Sequence, residues 1–130
     1  MRCFKFLKDE RGNAVIEVAI MFPIVLALVF GFMMFTQAMR VNTVLQVAAR
    51  EAARQYAVSN DPARAVQKAR EELSLGNVDP RRATILTNAD GAERKVTVKF
   101  PYGFKVPFAG EYPLTLQGSA VFRLEQSAFF

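Results

Sequence analysis

The chain has 130 residues and a formal net charge of +5, with no histidine and a single cysteine, Cys3. That length holds one small domain. A lone cysteine excludes an internal disulfide, and no Cys/His spacing suits a metal ion.

The first segment reads MRCFKFLKDERG, with Arg2, Lys5, Lys8 and Arg11 against Asp9 and Glu10. Basic residues just ahead of a first membrane span favour a cytoplasmic N-terminus. The rest of the chain is then expected on the far side of the membrane.

Between Gly12 and Met39 the only charge is Glu17, and from Val18 to Met39 there is none. At 1.5 Å per residue the uncharged run makes a helix of roughly 33 Å, enough to cross a hydrocarbon core of about 30 Å. It is longer than a usual secretory h-region, and FTQAMR after it offers a poor small-x-small cleavage site. Cys3 has no apolar run before it, which argues against a lipoprotein signal. The plain reading is an uncleaved single-span anchor. Glu17 stands out against it, because a charged carboxylate in hydrocarbon costs on the order of 2.5–3.5 kcal/mol even on a lenient insertion scale. A nearby positive charge is the usual compensation. Pro23 lies inside the apolar helix and Gly31 offers a close-approach surface, although both residue types are common in membrane helices.

Beyond Met39 the helical pattern runs on without a breaker through RVNTVLQVAAREAARQYAVS. Val41, Val44, Leu45, Ala48, Ala52 and Tyr56 recur at three- and four-residue spacing and define one face. One long helix is predicted over about 14–58. SNDPAR then interrupts it. Asn60 or Asp61 suits an N-cap and Pro62 a first helical position. Val66, Ala69 and Leu73 give a short amphipathic helix over about 62–74, with Gly76 at its C-terminus.

From Arg82 the period changes. ATILT reads as a strand and NADG as a turn, with Gly91 supplying positive φ. RKVTVKF alternates, with Val96, Val98 and Phe100 facing one way and Lys95, Thr97 and Lys99 the other. Residues 101–113, PYGFKVPFAGEYP, read as a Pro/Gly-rich loop carrying Tyr102, Phe104, Phe108 and Tyr112. LTLQGSAVFRLE reads as a last strand with Gly118 as a bulge. The expected fold is α+β, with a long N-terminal helix, a short second helix and three antiparallel strands packed on the second half of the long helix.

RGNAVIEVAIMFPIVLALVFGFMM followed by AAREAARQYAVS resembles the TadE-like family, pseudopilins of the tight-adherence (Tad, Flp; type IVc) pilus system. The family pattern is a short basic leader, a glycine, a glutamate five residues on, an apolar helix containing a proline, and an AARE(G/A)AR segment. Gly12, Glu17, Pro23 and Ala48 to Arg54 match it in order, while Val18 stands where an aromatic residue often follows the glutamate. The resemblance implies cleavage by a prepilin peptidase between Gly12 and Asn13. It divides the chain into a leader at 1–12, a membrane helix at 13–39 and a periplasmic α+β, pilin-like domain at 40–130. It further implies partnership with other pilin-like subunits and Tad assembly proteins at the bacterial inner membrane or in the pilus. Glu17 would pair with the new amino terminus, and Pro23 and Gly31 would pack against neighbouring helices.

Nothing in the residues points to an enzyme or a cofactor. The commonest general base is missing, and the serines in VSN, LSL, GSA and QSA lie in no nucleophile motif. Glu71 and Glu72 read as a solvated helix face. Arg50, Arg54, Arg64, Lys68, Arg70, Arg81 and Arg82 could line a basic face for nucleic acid, but the acids interspersed among them favour solubilising charge. The aromatics of 101–113 suit either an interface or the domain's own core. The terminal SAFF is similarly apolar. The leading alternative to a processed pilin-like subunit remains an uncleaved single-span anchor whose far-side domain scaffolds an envelope or secretion complex.

Overall fold

A computed structural model describes residues 10–106 and 109–124. Most of the leader, Cys3, Phe108 and the SAFF end lie outside those residues. The element order is α1 (Glu10–Ser59), α2 (Pro62–Leu75), β1 (Thr84–Asp90), β2 (Glu93–Val106) and β3 (Gly110–Arg123). This is the expected α+β arrangement. By packing, the chain divides into two units, one up to Thr36 and one from Gln37 onward.

The first unit is the apolar part of α1. Its helix continues through Pro23. Large apolar side chains from Val15 to Phe35 stand exposed along it. Thr36 donates its hydroxyl to the carbonyl of Phe32 at 2.9 Å, so this polar group is satisfied within the helix.

In the second unit the remainder of α1 supplies Leu45, Ala48, Ala49, Ala52, Ala53 and Tyr56 to a core completed by α2, Val78 and β2. α2 contributes Ala65, Ala69 and Leu73, and β2 contributes Val96, Val98 and Phe100. Val66 of the anticipated face is only half-buried, and Ala65 takes the interior position. Alanine at so many interface positions allows backbones to approach closely. Among the described residues the largest fully buried side chains are Leu45, Leu73, Val96 and Val98. Each contributes about 1.5–3 kcal/mol by leaving water.

The junction between the two helices assigns separate tasks to neighbouring residues. Asn60 takes a left-handed conformation (φ 51°), and its N–H donates to the Tyr56 carbonyl at 2.9 Å. Asp61 is the N-cap of α2, accepting from the Ala63 N–H at 2.9 Å. At the other end of α2, Gly76 has φ −82° and leaves the left-handed position to Asn77 (φ 57°). The N–H of Val78 donates to Leu73 O and that of Asn77 to Ser74 O, a Schellman closure with Asn in the usual glycine position. Gly76 is required for a different reason: a Cβ there would run into the Val44 side chain on α1.

The sheet order is β1-β2-β3, antiparallel throughout. The first hairpin turns at Gly91-Ala92, with Gly91 at φ 53°, and Asn88 to Asp90 belong to the strand rather than to the turn. The second hairpin differs most from expectation. Residues 101–113 are mainly strand, since β2 extends to Val106 and pairs with β3 from Gly110 onward. Two prolines suggested a loop. Pro101 pairs with Thr115 and Pro113 with Gly103, so the two share one parity of the ladder. That parity turns both nitrogens to the unpaired outer edges, where proline removes no ladder bond and blunts the edge against further pairing.

Gly118 is not a bulge. It pairs in register with Val98, and a Cβ there would lie 2.5 Å from the Leu45 carbonyl oxygen and 2.9 Å from the Gln46 nitrogen. The glycine lets the backbone of α1 sit directly on β3. Gly118→Val is therefore expected to destabilise the fold by about 1–3 kcal/mol through overpacking, measured by denaturant unfolding of the purified chain in detergent. Unchanged stability would contradict the close approach.

Candidate functional site

Gly12, Asn13 and Glu17 lie in the first two turns of α1. Asn13 and Glu17 are four residues apart, on one face and about 6 Å apart along the axis. Gly12 is half-buried and Asn13 exposed. Glu17 is exposed and has no ion-pair partner among the described residues.

One stripe further along α1 is made of small or compact residues. Ala19, Pro23, Ala27 and Gly31 recur every fourth position and share a face. A Cβ at Gly31 would have no atom within 4 Å, so no packing inside this chain requires the glycine. Pro23 donates no N–H, which leaves the carbonyl of Ala19 without its intrahelical partner. The helix therefore presents a flat strip, one free carbonyl and one carboxylate on an otherwise apolar surface. Its length and exposed apolar side chains are compatible with a single-pass membrane protein.

Three of the seven basic residues considered for nucleic acid have partners within the domain. Arg64 lies 3.7 Å from Asp61, and Lys68 lies 3.1 Å from Glu72 and 3.5 Å from Glu71. The hydrogen bond to Glu72, with the Glu71 charge nearby, holds the Lys68 ammonium above its ordinary pKa of 10.5. The Arg82 guanidinium sits over the Phe100 ring at 5.5 Å. Glu71 and Glu72 thus serve as partners of Lys68 on the α2 surface.

One polar residue went unmarked in the sequence. Arg94 is the buried charge among the described residues, at 7% exposure. Its Nε donates to Asn60 Oδ1 at 2.9 Å, and its Nη1 donates to the carbonyls of Gly91 (2.8 Å) and Glu93 (3.0 Å). The guanidinium stacks over Tyr56 at 5.5 Å. It clamps the end of α1 to the β1–β2 turn. The signal was available: Arg94 shares the alternation parity of Val96, Val98 and Phe100, which points it at the core.

Residues 12–54 match the family model described as TadE-like protein. The match begins at Gly12, includes Glu17, Pro23 and Gly31, and ends at Arg54 inside the buried part of α1. Over this segment the chain is similar to TadE-like proteins, as its sequence pattern suggests. No curated protein and no solved structure matches the chain.

If the strip at Gly31 serves contacts with other helices, Gly31→Ile leaves the helical content unchanged and weakens association of the chain in bilayers, followed by energy transfer between labelled copies at increasing lipid dilution. Undiminished association would remove Gly31 from the contact surface.

Proposed function

We propose that this chain is a minor pseudopilin, a non-catalytic assembly subunit of a tight-adherence pilus, cut by a prepilin peptidase between Gly12 and Asn13. The observation that carries the reading is the family match over residues 12–54, which starts at Gly12 and lies wholly within one helix. The basic residues Arg2, Lys5, Lys8 and Arg11 support a cytoplasmic N-terminus, with the α+β domain in the periplasm.

The chemistry of the cut explains the glutamate. In the uncut chain Glu17 lies beyond the first turn of α1, and the favourable field of a helix N-terminus fades within that turn. Cleavage moves the helix start to Asn13. Glu17 then stands one turn from a free ammonium and close to the helix's positive end. Two such helices offset along the membrane normal can exchange these charges, with the amine of one meeting the carboxylate of the other. That pairing lowers the cost of a carboxylate in an apolar zone and sets the axial register between subunits. Partners are therefore the peptidase, other pilin-like subunits and the Tad assembly proteins. No cofactor or small-molecule substrate is involved.

A second reading draws on the structure of the bond itself. Gly12 and Asn13 are already helical, and peptidases act on extended backbone. On that reading the chain stays uncleaved and its periplasmic domain scaffolds an envelope complex. Glycine weakens the helix by about 0.5–1 kcal/mol relative to alanine and eases local opening at the cut.

Co-expression with a prepilin peptidase, followed by mass spectrometry of the purified chain, tests the proposal. The expected product starts at Asn13 and is lost in Gly12→Ala. A chain that keeps its leader in the presence of active peptidase would overturn processing and leave the anchor.

A further inference from the structure

The sheet has two free edges, and they are protected unevenly. β3 is an edge strand of 14 residues. Its outward backbone groups belong to the residues on the parity of Pro113, which are Thr115, Gln117, Ser119, Val121 and Arg123. Pro113 removes a donor at one end of this edge. From Leu114 to Phe122 the strand has no proline, no charge and no bulge, so the usual defences against strand addition are missing there. Among the described residues no other backbone group bonds to this edge. The opposite edge is β1. The β2 residues on the parity of Pro101 bond towards β1, so Leu86 and Asn88, opposite Thr97 and Lys95, are used inside the sheet. Ile85, Thr87 and Ala89 turn their backbone groups outward.

The two edges match each other. β1 and β3 run in the same direction, both antiparallel to β2. Leu86 stands level with Thr97 and Ser119, Asn88 with Lys95 and Val121, and Asp90 with Glu93 and Arg123. A second copy displaced sideways, without a shift along the strands, brings its β1 beside β3 as a parallel neighbour of the right parity. The Ser119 N–H then donates to the Ile85 carbonyl and the Thr87 N–H to the Ser119 carbonyl, and Val121 does the same with Thr87 and Ala89. On the outer face Asp90 of the second copy comes beside Arg123. Neither of these opposite charges has an ion pair among the described residues. Leu86, 49% exposed, comes beside Ser119. On the core face Ala89 comes beside Phe122, 39% exposed.

We propose that the edge of β3 from Gln117 to Arg123 binds β1 of a second copy of this chain, side by side and in the same orientation, so that one sheet runs from subunit to subunit. The contact is head-to-tail and leaves a free β3 and a free β1 at its ends, so it can be repeated. Antiparallel pairing of two β3 edges would instead reverse one copy. The contact lies within the second unit and needs neither the cut at Gly12 nor Glu17, so it stands or falls independently of processing.

Disulfide cross-linking of the full-length chain in detergent tests the contact, with Cys3→Ser removing the only native thiol. Cysteines are introduced as Leu86→Cys and Ser119→Cys, both at exposed positions outside the core. Within one chain these positions lie two strands apart, about 10 Å, beyond the ~7 Å between Cα atoms that a disulfide can bridge. Between copies in the proposed contact they are adjacent, at about 4.8 Å. On oxidation, chains with both cysteines are expected to form a ladder of dimers and larger species. A mixture of the two single-cysteine chains should stop at dimers, and either chain alone should stay monomeric. Thr115→Cys in place of Ser119→Cys, about 14 Å away along β3, should lower the dimer yield of the mixture at least about fivefold. Absence of cross-linking in the mixture would overturn the proposal. Dimers from Ser119→Cys chains alone, as abundant as from the mixture, would overturn it too, because they report β3 against β3. Equal yields at 115 and 119 would mean random collision and would have the same consequence.

Discussion

A single helix in this protein carries two kinds of surface, the first compatible with a membrane span and the second packed against protein. α1 runs without a break from Glu10 to Ser59, and apart from its ends and the Ala19 carbonyl opposite Pro23 its backbone hydrogen bonds are closed within the helix. The side chains alone decide which medium each part can occupy. Up to Phe35 they are large, apolar and exposed, which suits hydrocarbon and would be untenable in water. From Leu45 they become small and buried against protein, with Ala48, Ala49, Ala52 and Ala53 all fully covered. The hydroxyls near the changeover, Thr36 and Thr43, bond back to the carbonyls of Phe32 and Met39. They make no demand on either medium.

The rest of the folded unit is an answer to the second half of that helix. A helix faced with alanine buries little area per residue, so the partners must come close. Gly76 and Gly118 are the two places where the approach leaves no room for a side chain, against Val44 and against the backbone of Leu45. Arg94 then locks the far end by joining Tyr56 and Asn60 to the first hairpin. A buried cation held only by carbonyl oxygens, an amide and a ring is costly to strip of its partners, so the clamp makes the seat of α1 on the sheet specific. A rigid seat matters if force or register is to pass from a membrane helix to a domain.

Periodicity made the elements legible. Apolar spacing located α1, α2 and the core residues of β2, and the pattern over Gly12 to Arg54 carried the similarity to TadE-like proteins. Where sequence reasoning missed, one residue type had two physical uses. Gly76 suits a helix C-terminus by residue type, yet Asn77 takes the left-handed conformation and Gly76 is a point of contact. Gly118 was read as a bulge, yet it is a point of contact in a regular ladder. Pro101 and Pro113 were read as loop formers, yet their parity places them harmlessly on outer edges. Close approach and edge position are tertiary facts that one strand's sequence does not carry. The spacing of Gly12, Asn13 and Glu17 was legible, because one turn of helix relates Asn13 to Glu17. Their charge pairing rests on the family resemblance and the proposal, since it needs both a processed amino terminus and a neighbouring subunit.

The central claim is that Glu17 is retained in an apolar helix to pair with an amino terminus during assembly. Replacing the charge with its neutral isostere, Glu17→Gln, isolates that role. Membrane fractions and sheared surface filaments from cells carrying the full Tad apparatus should be compared for the amount of this chain and for its copurifying pilin-like partners. The account predicts an unchanged or increased amount in the membrane, normal removal of the leader, and loss of the partners from the copurified complex. Undiminished recovery of those partners with Glu17→Gln would contradict it.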